Sequence, residues 1–167
     1  MFALENYLVA YKLYSKFPDE EFPDKREYLY KIGSEYYRYG DIDNSLKYLK
    51  EGLALKGPDK FFLSVCNTIG LCYRKLKQYD SSERYFKMTN TYALEHNKTA
   101  WVAISWGNIG CDYFLEGKYD EAVPLLQRDI EISSGHMQIQ EAISSMGTLS
   151  SVFYMKKQYD SSEHIAC

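Results

Sequence analysis

The sequence predicts an all-α fold of stacked antiparallel helix pairs, on the strength of three observations. The string K-Q-Y-D-S-S-E stands at Lys77 to Glu83 and again, letter for letter, at Lys157 to Glu163, 80 residues further on. Midway, G-K-Y-D-E-A runs from Gly117 to Ala122, so Tyr79, Tyr119 and Tyr159 follow one another at intervals of 40. Upstream of each copy lies a segment of helical periodicity: N-T-I-G-L-C-Y (Asn67 to Tyr73), G-N-I-G-C-D-Y (Gly107 to Tyr113) and G-T-L-S-S-V-F (Gly147 to Phe153). Units of this length cannot bury an apolar face alone and must stack on a neighbour.

In chain order, residues 1–17 predict a leading helix over Ala3 to Lys16, with Leu4, Leu8, Tyr11 and Tyr14 or Ser15 on one face. The following linker is bracketed by Pro18 and Pro23 and carries the acidic run Asp19, Glu20 and Glu21. Repeat boundaries then fall at 24–57, 60–97, 100–136 and 138–167, the last incomplete because only Asp160 to Cys167 remains for its second helix. Such an end leaves an apolar face without a capping element, so the chain is expected to continue in a longer protein or to pair with another copy.

Within the first helices, Ile69, Tyr73 and Leu76 form an apolar stripe, and Ile109 and Tyr113 repeat it until Glu116. Glycine at 33, 70 or 110 costs about 1 kcal/mol of helix propensity against alanine, which makes sense where another backbone comes close. The second helices are expected to start at Asp80 and Asp160, where D-S-S-E offers a capping box with Glu83 or Glu163. Pro124 sits near the start of the third unit's second helix, where a missing donor is least harmful.

These residues resemble the signature of the tetratricopeptide repeat (TPR), in which a Leu-Gly pair and an aromatic three residues later mark the first helix. The marks fall on Ile32, Gly33 and Tyr36; Ile69, Gly70 and Tyr73; Ile109, Gly110 and Tyr113; and Leu149, Ser150 and Phe153. The second-helix small residues are Ser45, Ser82, Ala122 and Ser162, followed by Leu49, Phe86, Leu126 and Ala166. The spacing exceeds the shortest consensus, Ser150 replaces a glycine, and Pro58 alone supplies the closing proline. The longer unit resembles the TPR arrays of bacterial sensor and regulatory proteins. That resemblance implies a right-handed superhelical solenoid whose first helices line a concave groove.

Composition narrows the function classes. The formal net charge of −3 provides no basic field for nucleic acid. Apolar stretches such as Tyr7 to Tyr11 fall far short of a membrane span, and no export signal opens the chain, which implies a soluble, cytoplasmic location. Cys66, Cys72, Cys111 and Cys167 include no CxxC pair, and only His164 stands near Cys167 at ligand-like spacing, so no metal site is expected. The histidines His96, His136 and His164 read as exposed turn or helix residues, and no nucleotide or metallohydrolase motif is present. No cofactor and no catalytic set is therefore expected. Carboxylate pairs such as Asp41 with Asp43, or Asp120 with Glu121, are explained by helix starts.

A binding scaffold for a protein or peptide is the reading that remains. Projecting the family's groove positions selects Tyr30, Ser34, Tyr37 and Arg38, then Asn67, Leu71, Arg74 and Lys75. Further on it selects Asn108, Cys111, Phe114 and Leu115, and then Thr148, Ser151, Tyr154 and Met155. The amides suit the backbone of an extended peptide, the cations suit carboxylates, and the rings suit apolar side chains. The two-carboxylate clamp of chaperone-tail adaptors is absent, because Tyr30, Ser34, Thr68, Ile104 and Asn108 occupy its places. The alternative is self-association, a homodimer formed through the unfinished carboxy-terminal end around Val152 and Ile165.

Overall fold

The computed structural model describes residues 2–18, 21–22, 24–57, 60–135 and 139–165. They form eight helices: α1 (Phe2–Tyr14), α2 (Lys25–Tyr39), α3 (Ile42–Ala54), α4 (Phe62–Lys75), α5 (Tyr79–Glu95), α6 (Thr99–Leu115), α7 (Tyr119–Gly135) and α8 (Ile139–Ile165). No strand occurs among the described residues. Two compact units divide the chain, Met1–Tyr85 and Phe86–Cys167.

In the first unit α1 packs on α2. Tyr11 makes a hydroxyl bond to Glu51 and an edge contact with Tyr48, and Tyr7 meets Tyr28 edge-on. Tyr14, expected on that face, is exposed. The α2/α3 pair closes tightly because Gly33 has no side chain: a Cβ there would lie 2.5 Å from Leu49 Cγ. Ser45 Oγ donates to the Gly33 carbonyl at 2.8 Å, fastening the same point. Leu46, Leu49, Val65, Ile69 and Cys72 form the core that joins α3 to α4.

Helix ends of the first unit are closed in several ways. Asp41 caps α3, accepting from Asn44 N at 3.1 Å, and Gly40 ends α2 at φ 82. The far end of α3 is closed by Arg26, which is 3% exposed and donates to the carbonyls of Gly52 (2.9 Å), Leu55 (2.8 Å) and Gly57 (2.6 Å). Between α4 and α5 the same left-handed step is taken by Lys77 at φ 57. Ser82 Oγ then donates to the Gly70 carbonyl at 2.9 Å.

In the second unit Gly110 repeats the close approach, with Leu126 Cγ 2.9 Å from where a Cβ would stand. Ala122, Leu126 and Val152 form the core there. Buried polar groups thread it: Asn90 Nδ2 donates to Ser105 Oγ at 2.7 Å, and Asp129 accepts from Ser133 (2.8 Å) and Ser145 (2.5 Å). Leu49, Phe86 and Leu126, the expected second-helix packing residues, are fully buried.

Three expectations need correction. α5 starts at Tyr79, with Ser82 N bonded to Gln78 O, so Asp80 stands inside the first turn and favours the helix dipole instead of capping it. Pro124 lies beyond the first turn of α7, and its position is exposed. At the carboxy-terminal end no second helix starts at Asp160, because α8 runs unbroken from Ile139 to Ile165. Side chains from Gln158 onward, including His164 and the Asp160 and Glu163 box, lie outside the described residues, as do Pro58, His136, Ala166 and Cys167.

Candidate functional site

The expected groove residues divide between the two units. In the first unit, Tyr30, Ser34, Tyr37 and Arg38 recur on one side of α2, and Asn67, Leu71, Arg74 and Lys75 repeat that spacing on α4. α2 and α4 touch, and Lys75 of the second row meets Tyr37 of the first. Tyr37 is half-buried against the α3/α4 core, and the Lys75 ammonium sits 4.6 Å above its ring, a cation–π contact. Burial pushes the Tyr37 phenol above its usual range, Cys72 adds to the shift, and Arg74 opposes it.

Around this centre, Arg38 is exposed and pairs with Glu35 at 2.8 Å. Tyr30 is half-buried and lies 5.6 Å from the Phe61 ring. Phe61 was not anticipated; it precedes the first helical residue of α4, outside the periodic positions that sequence reading tracks. Ser34 Oγ is buried and has no hydrogen-bond partner among the described residues. Asn67 and Leu71 are half-buried. At the start of α2, Glu27 is held below the usual carboxylate range by its bond to Lys31 at 2.6 Å, with Lys60 at 3.2 Å.

The second unit gives a plainer picture. Asn108 and Cys111 are half-buried on α6. Phe114 belongs to the packing of α6 on α7, 5.9 Å from the Tyr119 ring, and so faces the core as much as any groove. Leu115 and Tyr154 are exposed. Thr148 and Ser151 turn their hydroxyls back to the carbonyls of Ser144 (3.2 Å) and Gly147 (3.0 Å). Met155 is half-buried.

No group of three His, Cys, Asp or Glu side chains among the described residues is arranged to hold a metal ion. No described helix is long and apolar enough to cross a membrane. Cys66 and Cys72 are buried, Cys111 is half-buried, and burial pushes the Cys66 thiol up to about 12. His96 is exposed at the end of α5, its ring stacked on Tyr92 at 3.8 Å.

Comparison with known proteins fits this geometry. Residues 27–58 and 63–87 match the family model for the tetratricopeptide repeat. No curated protein matches the chain. Among solved structures, aspartyl phosphate phosphatase F from Bacillus subtilis superposes with a TM-score of 0.75 at 17% identity, over 84% of this chain and 38% of its own. The apo form of RapI gives 0.80 at 20% identity, over 94% and 44%. A putative kinesin light chain from Podosopora anserina with nearly identical TPR-like repeats gives 0.71 at 14% identity, over 98% and 81%. The chain thus spans about two fifths of the length of the first two. Tetratricopeptide repeats are thus matched over residues 27–58 and 63–87, and the solved neighbours share a TPR-like helical-repeat fold.

Proposed function

Taking the presence of tetratricopeptide repeats as premise, we propose that the strip formed by α2 and α4 binds an extended peptide or protein segment bearing a carboxylate beside an apolar side chain. The observation that carries this reading is the Tyr37–Lys75 pair with Arg74 beside it. A half-buried ring next to two cations offers an apolar wall and charge-assisted donors in one place. Ser34 Oγ, buried on the same helix and unpartnered among the described residues, adds a donor for a peptide carbonyl. The likeness to Bacillus proteins supports a role in a bacterial regulatory protein. Binding, not catalysis, is the role in this reading, and the phosphatase name of one neighbour is carried by that neighbour alone.

The test is selection from a displayed random-peptide library, followed by titration of the selected peptides against the full chain. Peptides with an acidic residue near an aromatic or aliphatic one should emerge. Arg74→Glu should weaken them by at least about tenfold, the loss of a charge-assisted contact. Selection of neutral, unpatterned peptides indifferent to Arg74→Glu and Tyr37→Ala would defeat the proposal.

A further inference from the structure

The outer surface of α8 is unlike that of α1. From Ala142 to Met155 no side chain is charged, and the residues that face solvent there are apolar, aromatic, serine or glycine. Ile143, Met146, Phe153 and Tyr154 are 59%, 47%, 53% and 63% exposed. α1 also exposes Val9, Leu13, Tyr14 and Phe17, but Glu5, Lys12 and Lys16 stand exposed among them. The solvent face of a helix ordinarily carries charge, and a contiguous apolar patch without it marks a contact surface.

The other face of α8 is used within the second unit. Ala142, Ser145 and Val152 are buried, Val152 against Ala122 and Leu126 of α7, so Val152 is not available for the self-association expected around it. What stays exposed is the row Ile143, Met146, Ser150 and Phe153, which falls at a, d, a and d of a heptad. Its intervals of three, four and three residues read the same from either end. A second α8 laid antiparallel about position 148 therefore sets Ile143 opposite Phe153 of the other copy, and Met146 opposite Ser150 of the other copy. Because the face is uncharged, it meets itself without like-charge contacts. The centre also admits a close approach: a Cβ at Gly147 would meet nothing within 4 Å, and Ser150 is small enough for Met146 to lie over it, as Leu49 lies over Gly33 and Leu126 over Gly110.

We propose that this face of α8 is the interface of a homodimer, covered by the same face of a second copy of the chain in an antiparallel pairing. The contact is isologous: one patch serves both copies, and each layer joins an a position to a d position. Ile143 and Phe153 close the two ends of the seam, and Gly147 with Ser150 lets the helices approach at its middle. The pairing is separate from peptide capture by α2 and α4, which belong to the other unit.

Sedimentation equilibrium of the full chain should give twice the monomer mass at about 20 µM. Ile143→Glu and Phe153→Glu, each of which places a charge at both ends of the seam, should weaken association at least about tenfold. Both positions are exposed in the monomer, so circular dichroism and the thermal midpoint at low concentration should match the unsubstituted chain. Orientation is read by disulfides in a Cys111→Ser, Cys167→Ser background. When chains carrying Met146→Cys are mixed with chains carrying Ser150→Cys and mildly oxidised, the mixed dimer should exceed either like dimer about fivefold, because antiparallel pairing brings 146 and 150 within the roughly 7 Å between Cα atoms that a disulfide allows. A chain still monomeric at about 200 µM would assign the face to another occupant and overturn the proposal. A dimer indifferent to both glutamates, or one in which position 146 bonds preferentially to its own equivalent, would overturn it equally.

Discussion

The α2/α3 pair of the first unit and the α6/α7 pair of the second solve one packing problem in two ways. Both bring a second helix onto a glycine, Gly33 or Gly110, with a leucine directly over it. In the first pair Ser45 adds a hydroxyl bond to the glycine carbonyl, and Leu49 presses within 2.5 Å of the space a Cβ would need. In the second, Ala122 occupies the serine's place, the approach relaxes to 2.9 Å, and no side-chain hydroxyl joins the contact. The lesson is that glycine is the requirement at this crossing, while the small residue opposite it can be a donor or a plain methyl.

Replacing the glycines should break the comparison most sharply. Gly33→Ala forces Leu49 aside and should destabilise by about 2 kcal/mol, an overpacking cost reduced by alanine's better helix propensity. Gly110→Ala meets a looser leucine and should cost about 1 kcal/mol or less, and urea titration of the two variants would rank them. Exchanging the opposing residues should do less. Ser45→Ala should lose about 1 kcal/mol, since the Gly33 carbonyl keeps its place in the α2 ladder, and Ala122→Ser should fall within about 0.5 kcal/mol of neutral in the same assay.

The turns offer a gentler contrast of the same kind. Lys77→Gly should stabilise by about 1 kcal/mol, because lysine there holds a left-handed conformation that Gly117 adopts freely. A gain in thermal midpoint is the readout, and no gain would mean that Lys77 is held by contacts stronger than its strain. The smallest effect concerns thiols. Cys66 is buried with its pKa raised to about 12, whereas Cys111 is only half-buried. Iodoacetamide at pH 8 should label Cys111 and spare Cys66. A thiol neutral in the fold and ionised in the unfolded chain above about 9 withdraws its contribution as pH climbs from there toward 12. Unfolding should therefore become easier with alkali, less so in Cys66→Ala.

Much of the fold was legible because its cause is periodic. Tyr79 and Tyr119 open α5 and α7 at the same place in successive 40-residue blocks, one residue ahead of the start expected at Asp80, and the glycines at 33 and 110 lie where a second helix comes close. What escaped depends on contacts far apart in sequence. Arg26, on which the sequence patterns are silent, is 3% exposed. Phe61 falls outside any stripe and yet lies against Tyr30. Asp80 was assigned a cap that geometry moved to Gln78, since helix starts are set to within a residue or two by the preceding turn. Of the candidate site, the α2 and α4 rows were named only by projecting the repeat family's groove positions onto the sequence. The Tyr37–Lys75 contact was not, because spacing says nothing of which side chains lean together across two helices.

Arg26 has a consequence for how the first unit comes apart. Its guanidinium is rooted in the opening turn of α2 but grips the closing carbonyls of α3, at Gly52, Leu55 and Gly57. Fraying, which ordinarily begins independently at each helix terminus, is here shared between two of them. Loosening the tail of α3 must unseat the head of α2, so this hairpin should open as a single latch, with both ends exchanging their amide hydrogens at one common rate.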